Sequence, residues 1–246
     1  MIARPSGAAA PRRQDPMARD DRPTVGRGSA PTANPIDHGI SPAFLKLLAA
    51  ERLEGRTVLD VGTGRGRLAL ALAPRCGRVV GIDRDETALT AARQAADAAG
   101  LRNVEFVAVD AESGEYAGFA PDAVVAHLCM SSAIAERAGR ALARGAPFAF
   151  VAFHADQWRE TGRRSRFAWN EDEAATVLTA AGFSIEHLSV ERDVQEFGSV
   201  QEALAAAIGL EEKWRADGRW FRYIKFLEDG GRTLTRAHFS VRARKT

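Results

Sequence analysis

The stretch Val58-Leu-Asp60-Val-Gly62-Thr-Gly64-Arg-Gly66 restricts this chain more than any other part of it. An apolar run enters three glycines at alternating positions, and a helical pattern opens directly behind them. Glycine adopts backbone angles closed to other residues and leaves no Cβ between a ligand and the main chain. A helix starting behind such a turn offers unpaired N–H groups. Strand, glycine-rich turn and helix in that order specify an α/β unit whose turn can receive a nucleotide-like ligand.

The rest of the chain repeats the alternation. Apolar runs predict strands over 57–61, 78–82, 104–109, 123–127 and 147–153, with helices over 66–73, 86–99 and 132–143. Ser41-Pro42 opens an earlier helix, and Asn170 with Glu173 forms a capping-box-like start for a later one. Strands are then expected over 183–191 and 233–243. Uninterrupted Val/Ile/Leu-rich strands between helices imply a mostly parallel sheet covered on both faces. The segment 197–231 interrupts the pattern: Ser199 and Glu202 read as a capping box, 203–210 reads as helix, and Trp214, Trp220, Phe221, Tyr223 and Phe226 crowd the next stretch.

Composition enters at the N-terminus. Residues 1–35 hold six of the ten prolines and almost no large apolar side chains, so they are expected to be a disordered extension to a domain spanning 36–246. They carry six Arg against three Asp, a net of +3, whereas the whole chain has a net charge of +2. The body is therefore at −1 and lacks the cationic excess that drives general nucleic-acid binding. Cys76 and Cys129 match no metal-ligand spacing and no disulfide framework, which reads as a reducing, cytoplasmic setting with no metal required. No apolar run reaches the roughly 18 residues a membrane-spanning helix needs.

The turn does not fit a dinucleotide site. That fingerprint, G-x-G-x-x-G, would place its third glycine at position 67, where Arg67 stands. The pattern is D-x-G-x-G-x-G, and an acid before the first glycine suits a ligand carrying an ammonium and a sulfonium better than a pyrophosphate. From about Ile36 onward the chain resembles the class I S-adenosylmethionine-dependent methyltransferases. Asp60–Gly66 matches the first motif, 79–83 ending in Asp83 the second, 104–111 with Asp110-Ala111 the third, and 121–128 with His127 the fourth. The resemblance implies a Rossmann-like three-layer sandwich with a mostly parallel seven-stranded sheet, the last strand antiparallel, and a helical insertion before that strand. It implies S-adenosyl-L-methionine as cofactor, bound by Asp60, Gly62, Thr63, Gly64, Gly66, Asp83, Arg84, Asp110, Ala111 and His127. In the family the acid at Asp83 binds the ribose hydroxyls and the acid at Asp110 the adenine amino group. Arg84 departs from the pattern, since an apolar residue usually stands there; its aliphatic stem can pad the ring instead. No [ND]-P-P-[FY] follows the fourth strand, which lowers methylation of nucleobase or glutamine amines in rank.

His127 and His154, each at the carboxyl end of a strand, are the candidate catalytic groups. Arg163, Arg164 and Arg166 form a cluster that could hold an acidic substrate, although a solvated surface run is the simpler reading. The aromatic insertion sits where small-molecule methyltransferases place a lid. The expected reaction is SN2 methyl transfer to O, N or C of a small-molecule acceptor. RNA or protein methylation, and a cofactor-binding pseudoenzyme or assembly factor, are the alternatives.

Overall fold

A computed structural model of the chain describes residues 39–246. The expected extension over 1–35 lies outside the described residues. The first helix, α1 (Pro42–Ala49), starts as the sequence implies, with the Ser41 side chain accepting from Phe44 N. Then follow β1 (Thr57–Val61), α2 (Arg67–Leu72), β2 (Arg78–Asp83), α3 (Glu86–Ala98), β3 (Val104–Ala108), β4 (Ala123–His127), α4 (Ser132–Ala141) and β5 (Pro147–His154). The second half comprises β6 (Ala168–Trp169), α5 (Glu171–Ala180), β7 (Phe183–Glu196), α6 (Val200–Ala207), α7 (Glu211–Asp217), α8 (Arg219–Glu228) and β8 (Thr233–Lys245).

The sheet runs β3-β2-β1-β4-β5-β8-β7. Strands β1 to β5 are parallel, and β8 lies antiparallel to both β5 and β7. Alternate residues of each strand face opposite layers, as the pleat requires. Leu59, Val61, Val124, Phe148 and Phe150 pack with α4 and α5. Val58, Val79, Val125 and Val151 pack with Phe44, Leu48, Leu68, Leu72 and Leu89 of α1 to α3. This is the three-layer α/β sandwich. The chain order reverses between β1 and β4, and in open α/β sheets ligands bind outside the carboxyl ends of the strands at that point.

Three features differ from the sequence expectation. A two-residue strand, β6, pairs with the far end of β5 through Phe153↔Ala168 and His154↔Trp169, making eight strands. It is too short to carry any periodicity. Strand β7 continues five residues past Glu191, pairing with β8 out to Glu196↔Thr233. Its outer half is exposed, so the ladder rather than burial holds it and no apolar alternation marks it. At the start of α6 Ser199 caps Glu202 N at 3.2 Å, but the Glu202 carboxylate reaches back to Gly198 N rather than to Ser199 N.

The aromatic insertion is a core in its own right. Trp214, Trp220, Tyr223 and Leu227 are buried with Ala203, Ala207, Leu234 and Trp158, the last from the loop after β5. Trp214 stands edge-on to both Trp158 and Tyr223, with ring centroids 5.3 and 5.5 Å apart. The insertion's own rings Trp214, Trp220 and Tyr223 are interior. Among the insertion's aromatics Phe221 alone is largely exposed, at 60%. Among the described residues no helix is long and apolar enough to cross a membrane, and no cluster of His, Cys, Asp or Glu could hold a metal.

Candidate active site

The glycines after β1 have different tasks. A Cβ on Gly62 would lie 2.2 Å from Cys129 Sγ, so the turn packs directly on the loop that leaves β4. A Cβ on Gly64 would meet nothing within 4 Å, and φ there is +54°. Gly64 therefore presents bare main chain to open space at the switch point, where a ligand could approach the backbone closely.

Each acid of the motif series first holds the site's own backbone. Asp60 is 1% exposed; its Oδ2 accepts from Thr63 Oγ1 at 2.6 Å and from Ala69 N at 3.1 Å. It ties the turn to α2 from inside. Burial pushes its carboxyl up to about 7, with the Asp83 charge adding and the two hydrogen bonds opposing. Asp83 accepts from Gly64 N at 2.9 Å and, through its other oxygen, from Asp85 N at 3.0 Å. One carboxylate thus joins the glycine turn to the cap of α3 and keeps lone pairs for a ligand's hydroxyls. Asp110 accepts from Glu112 N at 2.8 Å, and Arg84 Nη1 lies 3.8 Å from its other oxygen.

A cavity of about 200 Å³ is lined by Gly62, Asp83, Arg84, Asp110 and Ala111, with Leu128, Cys129 and Ile134 as apolar wall. A second, of about 330 Å³, is lined by Asp60, Gly62, Thr63, Gly64 and His127 with Arg65, Arg67 and Leu68. Gly62 belongs to both, so the two hollows form one crevice around the turn. Gly66 lines neither; its missing Cβ lets Phe106 and Ala92 close behind the loop. Leu128 takes a left-handed φ of +59°, bending the chain immediately beyond His127 and bringing Leu128 and Cys129 to the crevice wall. A non-glycine residue held there carries local strain, which collects at functional sites.

The structure separates the two histidines. His127 is half-buried beside Phe44, at 6.3 Å between ring centroids. Burial, then the charges of Arg67 and His238, lower its pKa to about 4. It is a neutral ring at pH 7 and a weak base. His154 is 5% exposed and lines neither hollow. Asp156 N donates to its Nδ1 at 3.1 Å, which leaves the proton on Nε2, 3.2 Å from Glu171 Oε2. With both nitrogens engaged inside the fold, His154 braces β5 against α5 instead of entering the crevice. Leu128, Cys129, Ile134 and Phe167 line the crevice without having been singled out as ligand groups by the sequence, and Arg166, expected in a cluster for an acidic substrate, lines it too. The first two could be inferred from their place after β4. Phe167 has no sequence signal, because only the fold of the loop after β5 delivers it.

Fold and site together define a Rossmann-like domain with a carboxylate-edged crevice at its switch point. Residues 58–146 match the family described as a methyltransferase domain. Over that stretch the chain resembles the class I methyltransferases, which use S-adenosylmethionine. Over 77 residues it is 39% identical to the ubiquinone biosynthesis O-methyltransferase of Acinetobacter baylyi, covering 30% of this chain and 32% of that protein. Over 52 residues it is 52% identical to the tRNA (uracil-5-)-methyltransferase homolog A of Mus musculus, covering 21% of this chain and 8% of that protein. The matched stretches thus span less than a third of either relative. The solved S-adenosylmethionine-dependent methyltransferase of Mesorhizobium loti shares the fold, with a TM-score of 0.54, 19% identity, and coverage of 83% of this chain and 96% of that one.

The residues present fit that cofactor. The Gly64 cradle is open, Asp83 and Asp110 offer acceptor edges, Asp60 lies as a buried carboxyl under the turn, and Ala111, Leu128 and Ile134 offer apolar walls.

Proposed function

We propose that this protein transfers the methyl group of S-adenosylmethionine to a small-molecule acceptor. The observation that carries the reading is the crevice around Gly62 and Gly64, edged by three separate carboxylates and floored by bare main chain. When bound, the cofactor supplies an electrophilic methyl on a cationic sulfonium. Asp83 and Asp110 would orient the nucleoside end, and Asp60 would face positive charge. His127, neutral at physiological pH, would act as a hydrogen-bonding wall rather than as a strong base. The leaving group is good, so alignment carries much of the acceleration, on the order of 7–11 kcal/mol for well-oriented reactants. Calorimetric titration with S-adenosylmethionine and S-adenosylhomocysteine tests the first half: binding to wild type that collapses in Asp83→Ala supports it, and no binding overturns it. Labelled methyl donor incubated with a metabolite extract tests the second half through label in a small molecule.

The similarity to a tRNA methyltransferase supports a second reading, transfer to RNA. The net charge of −1 on residues 36–246 argues against it. Label incorporated into total tRNA, and not into the metabolite extract, would favour that reading.

A further inference from the structure

The loop between β5 and β6 stands between the crevice and a larger hollow. Arg166 and Phe167 line the crevice, and both also line a cavity of about 710 Å³ bounded by that loop and by α7 and α8. Four aromatic side chains, Phe153, Trp158, Phe167 and Trp169, form its apolar wall. Its charged lining is unbalanced: five cations, Arg163, Arg164, Arg166, Lys213 and Arg219, face two anions, Glu173 and Asp217.

The pairings sharpen the imbalance. Arg164 is held by Glu173, Arg219 Nη2 lies 2.9 Å from Asp217, and Arg166 reaches Glu112 at 3.3 Å. Arg163 donates to the backbone carbonyl of Asp217, not to a carboxylate. Lys213 has no ion-pair partner among the described residues and is exposed at the rim. Below the rim, Trp158 and Arg219 are each only 7% exposed, and Trp158 Nε1 and Arg219 Nε have no hydrogen-bond acceptor among the described residues. Buried donors without partners are rare in folded proteins, and here two of them belong to side chains lining one cationic, aromatic-walled cavity.

We propose that this cavity takes the methyl acceptor, and that the acceptor is an aromatic oxyanion. Its ring would lie against Phe153, Phe167 and Trp169. Its carboxylate or phosphate would be held by Lys213 and Arg163. This rests on the methyl-transfer reading; Arg166 and Phe167 line both the crevice and this cavity, so the two adjoin. The aromatic wall supplies contact area without sequence-like readout, and the unpaired cations select for negative charge.

The test uses the full chain and three probes: benzoate, phenyl phosphate and the uncharged benzamide. Each is titrated by calorimetry and by quenching of tryptophan fluorescence, with and without saturating S-adenosylhomocysteine. At least one anion should bind roughly tenfold more tightly than benzamide, and the preferred anion tells carboxylate from phosphate. Lys213→Glu should weaken that anion by roughly tenfold or more and Arg163→Ala by less, both leaving S-adenosylhomocysteine affinity unchanged. Equal binding of benzamide and the anions, no binding of either anion, or no effect of Lys213→Glu overturns the proposal. Anion binding that survives while S-adenosylhomocysteine fails to bind would uphold the cavity's anion selectivity and sink the methyl-transfer reading instead.

Discussion

The half of the molecule around β1 to β4 and the half around β5 to β8 build their ligand surfaces in opposite ways. In the first, the three acids that edge the crevice sit at or just past the ends of parallel strands and are fixed by atoms close in sequence or following the adjacent strand. Asp60 reaches Thr63 and Ala69, Asp83 reaches Gly64 and Asp85, and Asp110 reaches Glu112. In the second, one cavity draws on residues from 153–173 and from 213–219, joined by a separate aromatic core at the outer end of the long β7–β8 ribbon. Local fixation pre-organises the cofactor side. The acceptor side depends on how distant segments dock, and so it can vary without disturbing the first half.

The strongest challenge to that division is Trp214→Ala. Removing the largest fully buried side chain of the aromatic core should cost about 3–5 kcal/mol in urea unfolding, while S-adenosylhomocysteine affinity changes by less than about twofold. An affinity loss in proportion would mean the two halves share one core.

Asp60 probes the first half alone. Its folded pKa is raised above the unfolded value, so its contribution is complete below pH 4 and is lost as pH rises to about 7. Wild type should lose on the order of 2–4 kcal/mol more than Asp60→Asn across that window. Parallel stability curves for the two proteins would show that Asp60 is not an ionisable strain in the turn.

Asp83→Ala should weaken S-adenosylmethionine binding by about 2 kcal/mol, roughly thirtyfold, because two backbone donors lose their charged acceptor along with the ligand's own bond. A drop below threefold would mean that the turn is held without it.

The mildest change, Glu171→Gln, removes the exposed partner of His154. It should shift stability by less than about 1 kcal/mol and leave the pH profile of methyl transfer unaltered. An altered profile would return His154 to the chemistry.

The first half was largely legible in the chain. Strands β1 to β5 announced themselves by apolar runs, and the acids at their ends followed by position. The reading faltered where side chains find distant partners. His154 stands at the carboxyl end of β5 as expected, yet Glu171 and the Asp156 backbone occupy its ring. The insertion's aromatics look like a substrate cover in sequence, but Trp158, from before the insertion, completes a core that buries Trp214, Trp220 and Tyr223. The outer part of β7 was invisible because backbone pairing with β8, not burial, makes it a strand.

By itself the sequence determined an alternating α/β sheet, a glycine turn at its switch point, and carboxylates at the ends of successive strands, because period, turn chemistry and strand ends are local properties. Only the tertiary structure decided that Phe167 joins two cavities, that Lys213 and Arg163 share a rim, and that His127 rather than His154 faces the crevice. Those outcomes depend on contacts between segments tens of residues apart, and no local pattern in the chain encodes such a meeting.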